Sequence, residues 1–184
     1  MGQASTHARQ VPQSSSSGGV ALACFEICRA LGVRTIVTSS SSEKLERARA
    51  LGADVTVDHA TADVVQAVKD ATEGRGASVV IETVGEATWE RSLAAVAQDG
   101  RIVVCGATSG HSPPARLYRL WWKQLTIYGS TMGTRDDFRG AYELVASGRA
   151  RPVIDEVFAL EDARAAHERL EAGEQFGKIV LTID

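Results

Sequence analysis

Gly18 and Gly19 stand side by side behind a run of serines, Ser14–Ser17, and Val20 then opens an apolar stretch. Glycines at the head of a helix let the backbone approach a bound group, and the free amides of the first turn carry partial positive charge. That combination suits the diphosphate bridge of a dinucleotide. The fingerprint G-x-G-x-x-G is incomplete here: serines stand where earlier glycines could be, and Ala21 occupies the last position. The same pair therefore also reads as glycines that simply start a helix. About 20 residues further on, a dinucleotide-binding domain places an acid for the ribose 2′-hydroxyl. Counting from Gly19 reaches Ser39, followed by Ser40, Ser41 and Ser42 with no carboxylate, then Lys44 and Arg47. Hydroxyls beside a cation suit a 2′-phosphate, which an acid would repel. The spacing thus favours NADP(H) over NAD(H), against the alternative of a flexible loop with an N-capping serine at Ser42.

Other residue types with chemical potential carry less. Cys24 and Cys28 lie four apart on a helical pattern and could share a metal. They also fall on an apolar stripe with Val20, Ile27 and Leu31, where free cysteine packs as a small hydrophobe. Cys105, inside the run RIVVC, reads as a buried strand residue in the same way. The histidines at 7, 59, 111 and 167 stand apart from acids and cysteines at ligand spacing, so no metal site is expected. His111 follows the RIVVC run, near where a substrate would lie, and reads foremost as a loop residue. His167 falls with Ala163, Ala166 and Leu170 on the inner stripe of a helix. No general acid, nucleophile or metal set emerges, and the catalytic residues stay unassigned.

The elements that would position these residues alternate along the chain. Strand patterns at 34–38, 54–57, 78–82, 101–105, 125–129, 152–158 and 178–183 interleave with helical patterns near 20–31, 43–51, 62–72, 87–97, 115–122, 135–147 and 161–172. SVVIE and RIVVC are continuous apolar runs, the habit of parallel strands covered on both faces. The expected architecture is a Rossmann-like, doubly wound parallel α/β sheet with helices on both faces. Its first strand is expected to be weak or missing, because the segment entering the glycine turn reads Ala8-Arg9-Gln10-Val11-Pro12-Gln13. A proline has no donor for a central ladder.

Composition sets the outer limits. A chain of 184 residues with 20 basic and 23 acidic side chains has a net charge of −3, which disfavours an electrostatic nucleic-acid binder. No apolar run approaches the roughly 20 residues of a membrane helix. The first seventeen residues lack the apolar core of a secretory signal and read as a disordered or improvised tail, so a cytoplasmic location is expected. Three cysteines make no disulfide framework.

Four segments together resemble the medium-chain dehydrogenase/reductase superfamily, nearest its zinc-type alcohol dehydrogenase and quinone oxidoreductase branches. They are GGVALACFEICRALGVRTIVTSSSSEKLERARALGADVTVD, GRGASVVIETVGEATWERSLAAVAQDGRIVVCGATSG, LWWKQLTIYGSTMG and EAGEQFGKIVLTID. The resemblance implies a coenzyme domain at 18–148 and a C-terminal return segment at 149–184, without the family's N-terminal catalytic domain and its zinc ligands. It implies that Gly18, Gly19 and Val20 form the pyrophosphate turn, and that Ser39 and Ser40 stand at the ribose-selecting position with Lys44 near the adenosine ribose or its phosphate. Thr83, Val84 and Gly85 would meet the adenine–ribose side. Gly106 and Ala107, with Gly129, Ser130 and Thr131, would face the nicotinamide carboxamide. Lys178 would meet the pyrophosphate, or stand as a solvated lysine at a strand start. Family dimers join strands edge to edge, which implies a homodimer through 125–129 beside Trp121 and Trp122. The activity implied is hydride transfer between NADP(H) and a small alcohol, carbonyl or quinone. Alternatives are a non-catalytic NADPH-binding module, a subunit completed by a separate catalytic half, or a truncated inactive fragment.

Overall fold

The computed structural model describes residues 9–11 and 18–183. Pro12, the serine run and the remainder of the expected tail lie outside the described residues. The chain winds through β1 (Arg9–Val11), α1 (Gly18–Ala30), β2 (Thr35–Ser39), α2 (Ser42–Ala50), β3 (Val55–Asp58) and α3 (Val64–Ala71). It continues through β4 (Ala77–Glu82), α4 (Glu86–Ala95), β5 (Val96–Val104), α5 (Leu117–Trp122), β6 (Thr126–Gly129) and α6 (Arg135–Ala146). The return segment supplies β7 (Ile154–Ala159), α7 (Ala163–Glu171) and β8 (Lys178–Thr182).

Six strands form one parallel sheet in the order β3-β2-β1-β4-β5-β6, and β7 and β8 pair in parallel as a second, two-stranded sheet. The strand order reverses between β1 and β4, which opens a crevice at the carboxyl ends of the strands, where doubly wound folds take their ligands. The central strand is present, though only three residues long. Arg9–Val11 pair with Thr35–Val37 on one side, and Arg9 and Gln10 with Val79 and Val80 on the other. It ends at Val11, the residue before Pro12. Arg9–Val11 supply the ladder between β2 and β4, so the sheet does not lose its middle.

Two cores flank the sheet. Ile36, Val57, Val80 and Ile102 pack with Val64 and Val68 of α3 and Trp89 and Leu93 of α4. On the opposite face Val37 packs with Leu22 and Phe25 of α1, Ala48 of α2 and Phe176 of the return segment. Consecutive residues Ile36 and Val37 belong to different cores, as the two-residue period of a strand requires. The α1 stripe read from sequence is not the buried one. Ala21, Leu22, Phe25 and Glu26 are buried, whereas Val20, Ile27 and Leu31 are exposed and Cys24 and Cys28 half-buried. His167 is likewise exposed, with Ala166 buried beside it, so it is not an inner-stripe residue.

Local chemistry sets the helix starts. Ser41, not Ser42, caps α2, its hydroxyl accepting from the Lys44 amide at 3.3 Å. Asp63 caps α3 through the Val65 and Gln66 amides. Thr134 and Asp137 close a reciprocal capping box on α6. β5 begins earlier than RIVVC because its pairing with β4 jumps from Val96 to Arg101, across Asp99 at φ 55° and Gly100.

Candidate functional site

Gly18, Gly19 and Val20 form the first turn of α1, which carries no acidic side chain. The Lys178 ammonium, from the start of β8, lies over this turn: a Cβ added to Gly19 would stand 2.5 Å from Lys178 Nζ. A side chain at position 19 would have to push the flexible lysine aside, so glycine is what lets the ammonium sit this close. Among the described residues that ammonium makes no hydrogen bond or ion pair. A cation at the positive end of a helix dipole is unfavourable by itself and becomes favourable with an anion between the two. The turn and the lysine thus fit a diphosphate, and the glycine leaves the space a side chain would fill.

At the end of β2 the serines divide in role. Ser39 is buried and its hydroxyl accepts from the Ser41 amide at 3.2 Å, while Ser40 is exposed. They border a polar cavity of about 550 Å³ that also takes Lys44 and Arg47 of α2, Arg169 of α7, and the carboxylates Glu43 and Glu174. Lys44 Nζ donates to the Gly173 carbonyl at 2.7 Å, which ties α2 to the return segment. The Arg47 guanidinium sits over the Phe176 ring at 4.4 Å. Beneath both lies Asp155, with its side chain 1% exposed, accepting from Arg169 Nε at 2.7 Å and the Phe176 amide at 2.9 Å. Burial works to raise the Asp155 carboxyl, but Arg169, the Phe176 amide and Arg47 outweigh it and hold it below its ordinary value. Arg47 stood in the sequence beside Lys44. Arg169 and Asp155 were missed, since nothing in their neighbourhoods marks them.

Thr83, Val84 and Gly85 form the turn from β4 into α4 and are all buried. Their geometry is set by Glu82, which is fully buried at the strand end. One Glu82 oxygen accepts from the Val84 amide at 2.9 Å, the Gly85 amide at 3.2 Å and the Thr88 hydroxyl at 2.7 Å; the other accepts from Ser92 Oγ at 2.5 Å. Four donors on one carboxylate offset its burial. Gly85 takes φ 88°, and a Cβ there would meet the Gly110 carbonyl at 2.1 Å. The loop after β5 lies over this turn: the Ser109 amide donates to the Val84 carbonyl at 2.8 Å, and Glu86 N–H to the Gly110 carbonyl at 3.1 Å. Sequence spacing had no signal for Glu82 beyond its place at the end of an apolar run.

Gly106 closes against Thr83, whose carbonyl a Cβ at 106 would approach to 3.0 Å, and Ala107 is exposed. Gly129, Ser130 and Thr131 are exposed at the end of β6, with the Ser130 amide donating to the Val104 carbonyl at 2.9 Å. Ser39, Thr83, Gly106 and Gly129 thus all stand at or just past the carboxyl ends of parallel strands.

The remaining candidates do not join this edge into a second centre. Burial raises the Cys24 thiol to about 11, with Cys105 and Cys28 adding to it, the opposite of an activated thiolate. Cys105 is half-buried just past β5, rather than within it as expected. His111 is exposed on the loop. No group of three His, Cys, Asp or Glu among the described residues could hold a metal, and no described helix is long and apolar enough to cross a membrane. Trp121 and Trp122 are 66% and 70% exposed, edge to face at 5.5 Å, beside the edge strand β6.

Known proteins are similar to this chain in sequence and fold. A family model described as zinc-binding dehydrogenase matches residues 19–147. A quinone oxidoreductase of Pseudomonas aeruginosa is 35% identical over 176 residues, covering 91% of this chain and 54% of that protein. A zinc-type alcohol dehydrogenase-like protein of Schizosaccharomyces pombe is 33% identical over 173 residues, covering 91% and 50%. The crystal structure of an NAD-dependent alcohol dehydrogenase superposes with a TM-score of 0.86 at 34% identity, over 97% of this chain and 52% of the other. A mycobacterial protein solved with NADPH gives 0.77 at 28% identity, over 97% and 57%. The chain spans about half the length of the curated relatives it matches.

Proposed function

Because this chain belongs to the zinc-binding dehydrogenase family, we propose that it is the NADP(H)-holding half of an oxidoreductase that acts on a small alcohol, carbonyl or quinone. The observation that carries this reading is the Lys178 ammonium held over Gly19 at the head of α1. In this reading Gly18, Gly19, Val20 and Lys178 grip the diphosphate. Ser39, Ser40 and Lys44 take the adenosine ribose and its 2′-phosphate. Thr83, Val84 and Gly85 shape the wall on the adenine–ribose side, held rigid by Glu82. Gly106, Ala107, Gly129, Ser130 and Thr131 offer backbone groups to the carboxamide and so fix which face of the nicotinamide is presented. When bound, the nicotinamide supplies the hydride chemistry; the chain supplies binding and orientation. Residues 18–148 act as the dinucleotide domain and 149–184 as a return segment that completes the diphosphate and adenosine ends. The protein works in the cytoplasm as a homodimer joined through 125–129 beside Trp121 and Trp122.

Fluorescence titration with NADPH and NADH tests the reading. NADPH binding in the micromolar range, at least tenfold tighter than NADH, is expected. No binding of either below about millimolar, ~4 kcal/mol of affinity, overturns it.

A second reading, a subunit completed by a separate catalytic half, is favoured by one feature. Val20 and Ile27 of α1, Leu31 just past its end, and Phe138, Tyr142 and Val145 of α6 are all exposed, an apolar surface of the kind that marks an interface. NADPH binding without quinone reduction by the purified chain supports this version; turnover rejects it.

A further inference from the structure

The cavity at the end of β2 is built from two parts of the chain that sequence order keeps far apart. Lys44 and Arg47 come from α2, and Arg169 comes from α7 in the return segment. We infer that Arg169 is a specificity-determining residue that contacts a phosphomonoester on the bound nucleotide; this rests on the NADP(H) reading and extends it to the return segment.

Three features of the cavity carry the inference. The first is preorganisation. Arg169 is fixed through Nε on the buried Asp155, and Arg47 stacks on Phe176 with its Nη1 3.6 Å from the same carboxylate. Two guanidinium groups are therefore held beside one another without spending side-chain entropy when a ligand arrives. The second is charge. Both cations share one buried carboxylate, Asp155; the further carboxylates on Arg169, Glu156 at 3.2 Å and Glu174, are solvent-exposed and worth less, and Lys44 has a neutral carbonyl as its partner. The third is what the cavity side of Arg169 meets now. Its Nη1 reaches Glu174 at 3.5 Å, and that carboxylate is 65% exposed, a contact of small worth in water. A phosphomonoester, carrying about −1.5 to −2 charges, replaces Glu174 there and gains shorter charge-assisted bonds. Ring-stacked Arg47 and pinned Arg169 flank such a group, while Ser40 offers it an exposed hydroxyl.

Calorimetric titration of the full chain with adenosine 2′,5′-bisphosphate and with 5′-AMP isolates this end of the site from the nicotinamide. The wild-type protein is expected to prefer the bisphosphate at least tenfold. Arg169→Gln is expected to cut that preference fivefold or more, with 5′-AMP affinity kept within twofold. A role confined to holding Asp155 would weaken both nucleotides together. Glu174→Gln, on an exposed residue, is expected to raise bisphosphate affinity two- to fivefold and leave 5′-AMP unchanged. It decides the matter should Arg169→Gln fail to fold. A wild-type preference that survives Arg169→Gln, or is unmoved by Glu174→Gln where the other variant is lost, overturns the role of Arg169 and leaves the NADP(H) reading standing. A wild-type protein that binds both nucleotides equally overturns the NADP(H) reading, and Arg169 with it.

Discussion

Asp155 shows how much one side chain decides at the residue scale. Its carboxylate is buried, bonded to Arg169 and the Phe176 amide, and 3.6 Å from Arg47. Replacing one carboxylate oxygen with an NH2 removes the charge and leaves either the Arg169 guanidinium or the Phe176 amide without its acceptor, so Asp155→Asn is expected to cost about 2–3 kcal/mol at pH 7 in urea unfolding. The sign with pH follows from the carboxyl being held below its ordinary 3.8. A depressed carboxyl contributes fully above that value and loses its contribution as the pH falls through the folded-state value. The gap between wild type and Asp155→Asn should therefore be full at pH 7 and narrowed at pH 3; an equal gap at both contradicts the ion pairing. Of this cluster only Arg47 was visible in the sequence, by its spacing from Ser39 and Lys44. Asp155 and Arg169 are 14 residues apart and meet across two elements. Their nearness is a product of the fold, which no local pattern encodes.

At the scale of elements, legibility followed the hydrophobic period. SVVIE and RIVVC were readable as parallel strands because residues 79–81 and 102–104 are continuous apolar runs, covered at least in part on both faces. α1 was misread because it is apolar on more than one side: Leu22 and Phe25 point to the core while Val20, Ile27 and Leu31 remain exposed. A period can select a face only when the other face is polar. β1 was hard to read for a different reason. Arg9 and Gln10 offer no apolar signal, and the strand is defined by its pairing with β2 and β4. The β4–α4 turn depends on a group hidden in plain sequence, the Glu82 carboxylate with its four donors. Glu82→Ala leaves those donors buried and unpaired, at about 1–3 kcal/mol for the first alone. A fall in melting temperature of roughly 5–10 °C by calorimetry is the expected result; an unchanged melting temperature would mean the turn is held by other bonds.

On the scale of the whole molecule, the apolar surface is distributed unevenly. The aromatic pair Trp121 and Trp122 flanks β6, an edge strand with one side unpaired among the described residues, and unpaired edges invite a partner. Sedimentation of the wild-type chain should give a dimer, and the double variant Trp121→Ser with Trp122→Ser a folded monomer; a wild-type monomer removes the proposed interface. The partnership between Gly19 and Lys178 has a consequence in time as well as in space. The six-stranded sheet is complete once β6 exists, yet the proposed grip on a diphosphate waits for β8, which follows β6 in the chain. Synthesis runs from the N-terminus, and domains organise as they emerge. A growing chain can therefore own its central sheet before the proposed diphosphate grip is complete, and on that reading competence arrives only with β8.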